Sequence, residues 1–86
     1  MTFRILAIGL RPGRSYKTME RLPDADFGQA CRALIAQSRK RLAPVVLRDG
    51  TTGRRFSVGD AMDHHGLTFV ERWHPERWLA RNGGKA

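Results

Sequence analysis

The first apolar stretch of the chain, residues 2–10 (TFRILAIGL), is interrupted only by Arg4 and Gly9. Such a run, followed by Arg-Pro-Gly, is typical of a buried β-strand and is too short to span a bilayer. In residues 16–22 apolar side chains recur only at three-residue steps, and Pro23 closes the segment. We interpret residues 16–22 as an irregular turn or an extended arm.

The clearest periodic pattern predicts a helix within residues 26–42, with Asp24 or Asp26 as its N-cap. Acidic residues precede this helix and the basic run 39–41 ends it, which complements the helix dipole. The basic run therefore has a structural explanation that needs no ligand. The apolar positions that recur at helical spacing are Phe27, Cys31, Leu34, Ile35 and Leu42.

The second half of the chain predicts a hairpin, a single helical turn, a further strand and a short final helix. Two strand-like runs flank DGTTG at residues 49–53, whose glycines suit a tight turn. Asp60 is the expected N-cap of a single helical turn that ends at Gly66. Pro75 is suited to the first position of the closing helix.

Residues 67–73 (LTFVERW) are rich in residue types that favour strands. In a strand, Leu67, Phe69 and Trp73 would share one face, so we assign this segment as the fourth strand, with Trp73 in the core. Trp78 admits two interpretations: it packs over the sheet edge, or it is exposed and stacks on a partner. Packing is the preferred one.

The expected fold class is therefore α+β, a two-layer sandwich with one main helix on a small, about four-stranded, mixed or antiparallel sheet. The predicted order is β-α-β-β-β with a short C-terminal helix. Residues 1–81 form a single basic domain in this interpretation, and residues 82–86 form a flexible tail. From the main helix onward the order is similar in outline to the double-stranded-RNA-binding domain, but Glu76 stands where that family has cations.

Size and cysteine content limit the classes of function. A chain of 86 residues buries a small core, which makes a deep enzyme cleft hard to accommodate. The single cysteine, Cys31, excludes an internal disulfide and a thiolate zinc site. Because Cys31 lies on the apolar stripe of the helix, we expect a buried, inert thiol. No cofactor is indicated, and a cytoplasmic location is the expectation.

The net charge of +8 indicates an acidic partner, most often nucleic acid, because basic side chains that neutralise phosphates release counterions. Thirteen of the sixteen basic residues are arginine, a bias that a GC-rich genome would also produce. We predict contacts from a basic hairpin, from the polar face of the main helix and from the closing helix. These candidate residues are Arg48, Arg54 and Arg55; Arg32, Arg39 and Lys40; and Arg77 with Trp78.

The histidine-rich segment raises a metal site as a third possibility. Asp60 and His64 have the helical spacing of two ligands, and His74 would have to join them from beyond the next strand. The alternative is structural: Asp60 caps the turn, and the histidines lie near helix ends. Asp63, His64 and His65 also resemble the signature tripeptide of the DHH phosphoesterases, but the further aspartate motifs of that family are missing.

Three hypotheses follow. The first is a non-enzymatic module that binds DNA or RNA, and not membranes. The second is a protein-interaction module, such as an adaptor, a subunit of a complex or a phage or plasmid inhibitor of a nucleic-acid enzyme; a free sheet edge would also permit homo-oligomers. The third is a small metal-dependent hydrolase built on Asp60, Asp63, His64, His65 and His74.

Overall fold

The computed structural model describes residues 2–8, 16–40 and 44–81. These residues form four strands and four helices in the order β-β-α-β-β-α-α-α. The strands are β1 (Phe3–Ile8), β2 (Tyr16–Leu22), β3 (Val45–Asp49) and β4 (Arg55–Phe56). The helices are α1 (Phe27–Ser38), α2 (Val58–His65), α3 (Phe69–Trp73) and α4 (Pro75–Arg81).

The strands form one antiparallel sheet in the spatial order β2-β1-β3-β4. Alternate residues of β1 and β3, among them Phe3, Ile5 and Leu47, are fully buried against α1. We call this side of the sheet the inner face. Leu34 and Ile35 of α1 are also fully buried in the same cluster. The predicted α+β sandwich, with a main helix on a four-stranded sheet, is confirmed.

The position of the fourth strand differs from the prediction. Residues 16–22 form the edge strand β2, which pairs with β1 from end to end. The register shifts between Ile5 and Leu6, so β2 contains an extra residue at Met19. This bulge breaks the two-residue period, and Met19 and Leu22 pack on the core although they are three residues apart. The three-residue step that we interpreted as an arm was the sign of a bulged strand.

The interpretation of residues 67–73 as a strand was wrong, because residues 69–73 form α3. Thr68 caps this helix: the Thr68 hydroxyl accepts from the Glu71 backbone N–H, and the Glu71 carboxylate accepts from the Thr68 N–H at 2.8 Å. Glu71 also pairs with Arg81 of α4. A reciprocal capping box therefore prevails over the strand propensity of Thr, Phe and Val.

Most of the other local predictions agree with the structure. Asp26 caps α1, Gly66 ends α2 with a left-handed φ of 66°, and Pro75 begins α4. Two boundaries differ: α1 ends at Ser38, and Ser57 caps α2, with Asp60 as the reciprocal member of that capping box. The predicted tail, residues 82–86, lies outside the described residues. Within the described ranges, every helix is too short or too polar to cross a membrane.

Candidate nucleic-acid interface

Four arginines lie in register across all four strands of the sheet. Arg21 of β2 is opposite Arg4 of β1, Arg4 is opposite Arg48 of β3, and Arg48 is opposite Arg55 of β4. We call these four residues the arginine row. Neighbouring strands are about 4.8 Å apart, so the Cα atoms of the row span about 14 Å.

The arginine row lies on the outer face of the sheet, away from α1. The strand residues that adjoin the row in sequence face inward. Phe56, which follows Arg55, packs on Phe27 of α1 with 4.9 Å between the ring centroids. Glu20, which precedes Arg21, accepts a hydrogen bond from Gln37 of α1. Because side chains alternate along a strand, Arg21 and Arg55 must point the opposite way. Leu6 and Val46 form the next register pair on the outer face, beside the row.

The described strand residues place no carboxylate on the outer face beside the row. Arg21 and Arg55 are exposed, whereas Arg4 and Arg48 in the centre are half-buried. The Nε of Arg4 is buried, and within the described part of the chain it lacks a hydrogen-bond partner. The Arg48 guanidinium lies beside the hairpin turn at Gly53, whose φ of 78° is a left-handed backbone conformation that favours glycine.

Like charges directly opposite one another destabilise a sheet. The arginine row contains three such cross-strand neighbours: Arg21 with Arg4, Arg4 with Arg48, and Arg48 with Arg55. The row therefore concentrates positive charge on one face of the sheet. An anion that lies along the row would relieve the repulsion.

The sequence had identified only half of the row. Arg48 and Arg55 were candidates, but Arg54 of the same hairpin turns aside, with its guanidinium 5.2 Å from the centre of the Phe56 ring in a cation–π contact. Arg4 and Arg21 were missed. Only the strand order and the register bring them beside Arg48, and the register of β2 depends on its bulge.

The basic residues predicted on the helices lie in the other layer. On α1, Arg32 is half-buried. Arg39 is exposed at the C-cap of the helix, with a guanidinium nitrogen 3.4 Å from a carboxylate oxygen of Glu76. Lys40, the next residue, is also exposed. Arg77 is exposed on α4. The basic residues predicted on α1 and α4 therefore do not form one continuous surface with the arginine row.

The two tryptophans have opposite environments. Trp78, with 5% of its surface exposed, is in the core, as preferred. Trp73, which we expected in the core, is 68% exposed. It forms an exposed patch with Phe69, 74% exposed, and Val70, 51% exposed, and the two aromatic rings are 6.2 Å apart. We call Phe69, Val70 and Trp73 the α3 patch. In the sequence, the four-residue spacing of Phe69 and Trp73 was the signal that could have indicated a shared face of a helix.

The histidines take part in packing contacts. His64 is 4.7 Å from Phe27 between ring centroids. His65 is 4.9 Å from Trp78, and its Nε2 donates to the Gly28 carbonyl at 2.9 Å. These contacts tie α2 to the start of α1 and to α4.

The proposed metal ligands are not gathered into a site. The Asp60 carboxylate accepts from the Ser57 N–H at 2.9 Å, and His74 ends α3 with its Nδ1 3.5 Å from Glu76. Across residues 2–8, 16–40 and 44–81, His, Cys, Asp and Glu form no group of three or more that could hold a metal ion. The hydrolase hypothesis, which needed Asp60, Asp63, His64, His65 and His74 together, thus has no supporting geometry.

The thiol of Cys31 is fully buried on α1. Burial, together with the negative charge of Asp60, raises the pKa of Cys31 to about 11. A thiol with such a pKa is protonated at neutral pH and is a poor nucleophile. This agrees with the expected inert thiol.

Comparisons of this chain with protein-family models, with curated proteins and with solved structures found no match.

Proposed function

We propose that the protein is a non-enzymatic module that binds nucleic acid, with the arginine row on the phosphate backbone. The observation that carries this proposal is the register of Arg21, Arg4, Arg48 and Arg55 across one face of the sheet. Arginine donates two parallel hydrogen bonds to a phosphate, and its charge persists at every physiological pH. A cytoplasmic location is part of the proposal.

The length of the row supports a polyanion over a single small anion. A span of about 14 Å exceeds the width of the B-DNA major groove, about 12 Å. One isolated phosphate would neutralise one or two neighbouring arginines and leave the others in mutual repulsion. A nucleic-acid backbone presents phosphates repeatedly, so it can neutralise the whole row.

Contacts to phosphates position a protein without reading sequence. We therefore expect weak discrimination between base sequences, and affinity that depends strongly on salt.

The test is fluorescence anisotropy with labelled duplex DNA and duplex RNA, comparing wild type with Arg48→Gln. Arg77→Gln, on exposed α4, removes the same charge from the other layer and is the matched control. We expect Arg48→Gln to weaken binding about tenfold, as for loss of a charge-assisted hydrogen bond, and Arg77→Gln to weaken it much less. Equal losses in the two variants would assign binding to net charge instead of to the row.

A second candidate function, protein binding, is favoured by the α3 patch. Two aromatic side chains and a valine that are mostly exposed on one five-residue helix are unusual, and tryptophan is enriched at interaction hot spots. An apolar patch on a partner protein is its expected complement. The edge strand β2 offers a separate route to self-association.

Sedimentation analysis of wild type and Trp73→Ala tests self-association through the α3 patch. Affinity capture from nuclease-treated lysate, with Trp73→Ala as the matched bait, tests another protein partner. A partner that both baits retain equally would exclude the patch as its binding surface.

A further inference from the structure

A cavity of about 260 Å³ lies between β2, α1 and α4, in the layer opposite the arginine row. Most of its wall is apolar. The apolar lining residues are Leu22, Ala25, Ala33, Ala36 and Leu79. A ligand of a few carbon atoms would replace water against this wall, which favours binding by the hydrophobic effect.

Three polar residues complete the wall, and two of them already have partners. Gln29 belongs to the capping box of α1, where its side chain accepts from the Asp26 N–H at 2.9 Å. Glu20 accepts from the Gln37 side chain at 2.8 Å. The third polar residue is Arg32.

Arg32 differs from these two residues. Its Nε is buried, and in the described part of the chain neither a hydrogen-bond acceptor nor an ion-pair partner contacts it. A buried donor without an acceptor is unfavourable, and a permanent cation makes the imbalance larger. Because Arg32 also lines the cavity, the cavity combines an apolar wall with one cationic side chain that has no ion-pair partner among the described residues.

We propose that this cavity binds a small amphipathic monocarboxylate. The carboxylate accepts hydrogen bonds from Arg32, and the hydrocarbon part packs against Leu22 and Leu79. Glu20 lies on the same wall and repels additional negative charge, which disfavours phosphate esters and dicarboxylates. This proposal is independent of nucleic-acid binding, because the two sites use different residues in different layers.

Amide NMR spectra of the isotope-labelled protein, titrated with hexanoate, test the proposal. Hexanol and hexylamine are the matched probes, since they keep the chain length and replace the carboxylate. We expect saturable shifts at residues 22, 33 and 79 with hexanoate alone. Shifts of equal size with hexanol, shifts confined to the arginine row, or the lack of a saturable response at millimolar hexanoate would overturn the proposal.

Two variants separate recognition by Arg32 from attraction to a basic protein. We expect Arg32→Gln to weaken hexanoate binding about tenfold or more, and Arg48→Gln, which removes the same charge from the arginine row, to leave it unchanged. Ala36→Leu fills the cavity and should block hexanoate. Unaltered affinity in Arg32→Gln, or an equal loss in Arg48→Gln, would contradict the assigned role of Arg32.

Discussion

The two faces of the sheet differ in what they contact, although adjacent residues of the same strands supply both. In β3, Val45 and Leu47 are buried on the inner face, whereas Arg48 belongs to the arginine row on the outer face. The inner face stabilises the fold by burying apolar area. The outer face places like charges together, which opposes stability. This difference separates the residues needed to fold from those that we propose bind.

The largest effect should come from the inner face. Leu47→Ala removes a fully buried side chain and should lower the free energy of unfolding by about 2–5 kcal/mol. The neighbouring Val46→Ala, on the outer face and half-buried, should cost about 1 kcal/mol or less. Urea denaturation of both variants measures the difference. Equal costs would mean that the two faces contribute equally to the core.

A smaller effect is expected where α3 begins. Thr68→Ala removes the hydroxyl that accepts from Glu71, and should lower the free energy of unfolding by about 1 kcal/mol. Thr68→Ser retains the cap and is the control, so it should be close to wild type. If residues 69–73 formed a strand in solution, alanine and serine would have similar effects, since neither is β-branched.

On the outer face, Arg48→Glu should affect stability and binding in opposite directions. The new carboxylate would be opposite Arg4 and Arg55, and each opposite-charge pair should add about 0.2–1 kcal/mol to the free energy of unfolding. Affinity for nucleic acid should fall. Arg77→Glu makes the same change of charge on α4 without those neighbours. A stability gain as large in Arg77→Glu would show that net charge, and not the register, is responsible.

The buried thiol predicts an effect that is confined to high pH. Because burial raises the pKa of Cys31 from 9.0 to about 11, the unfolded chain loses this proton at lower pH than the folded chain. The stability from this group is complete below pH 9 and declines as the pH rises toward 11. The decline measured by chemical denaturation should be shallower in Cys31→Ala. Parallel profiles for the two proteins would contradict the raised pKa.

Local patterns in the sequence predicted the elements that local contacts determine. The apolar stripe of α1 and the glycine C-cap at Gly66 were evident from residue spacing, and the N-cap of α1 was narrowed to Asp24 or Asp26, of which Asp26 is the cap. Residues 69–73 were predicted as part of a strand, although they form a helix, because their individual strand propensities were given more weight than the Thr68–Glu71 capping box. Strand β2 was missed because its bulge disrupts the alternation that identifies strands.

The arginine row could be predicted only in part, because it is a property of register. Arg48 and Arg55 are close in sequence and belong to one hairpin, so local analysis could identify them. Arg4 and Arg21 come from strands whose pairing depends on the order of the whole sheet. Similarly, the exposure of Trp73 follows from the direction of α3, which residue type alone does not determine.

The most direct test of the arginine row as a binding surface is the salt dependence of duplex DNA binding, measured by anisotropy for wild type, Arg4→Gln and Arg77→Gln. Four phosphate contacts predict a slope of about −3.6 for the logarithm of the association constant against that of salt concentration, or about 0.9 for each contact. Arg4→Gln should make the slope shallower by about 0.9, and Arg77→Gln should leave it unchanged. A slope near zero in wild type, or one that Arg4→Gln does not alter, would contradict the arginine row as the binding surface.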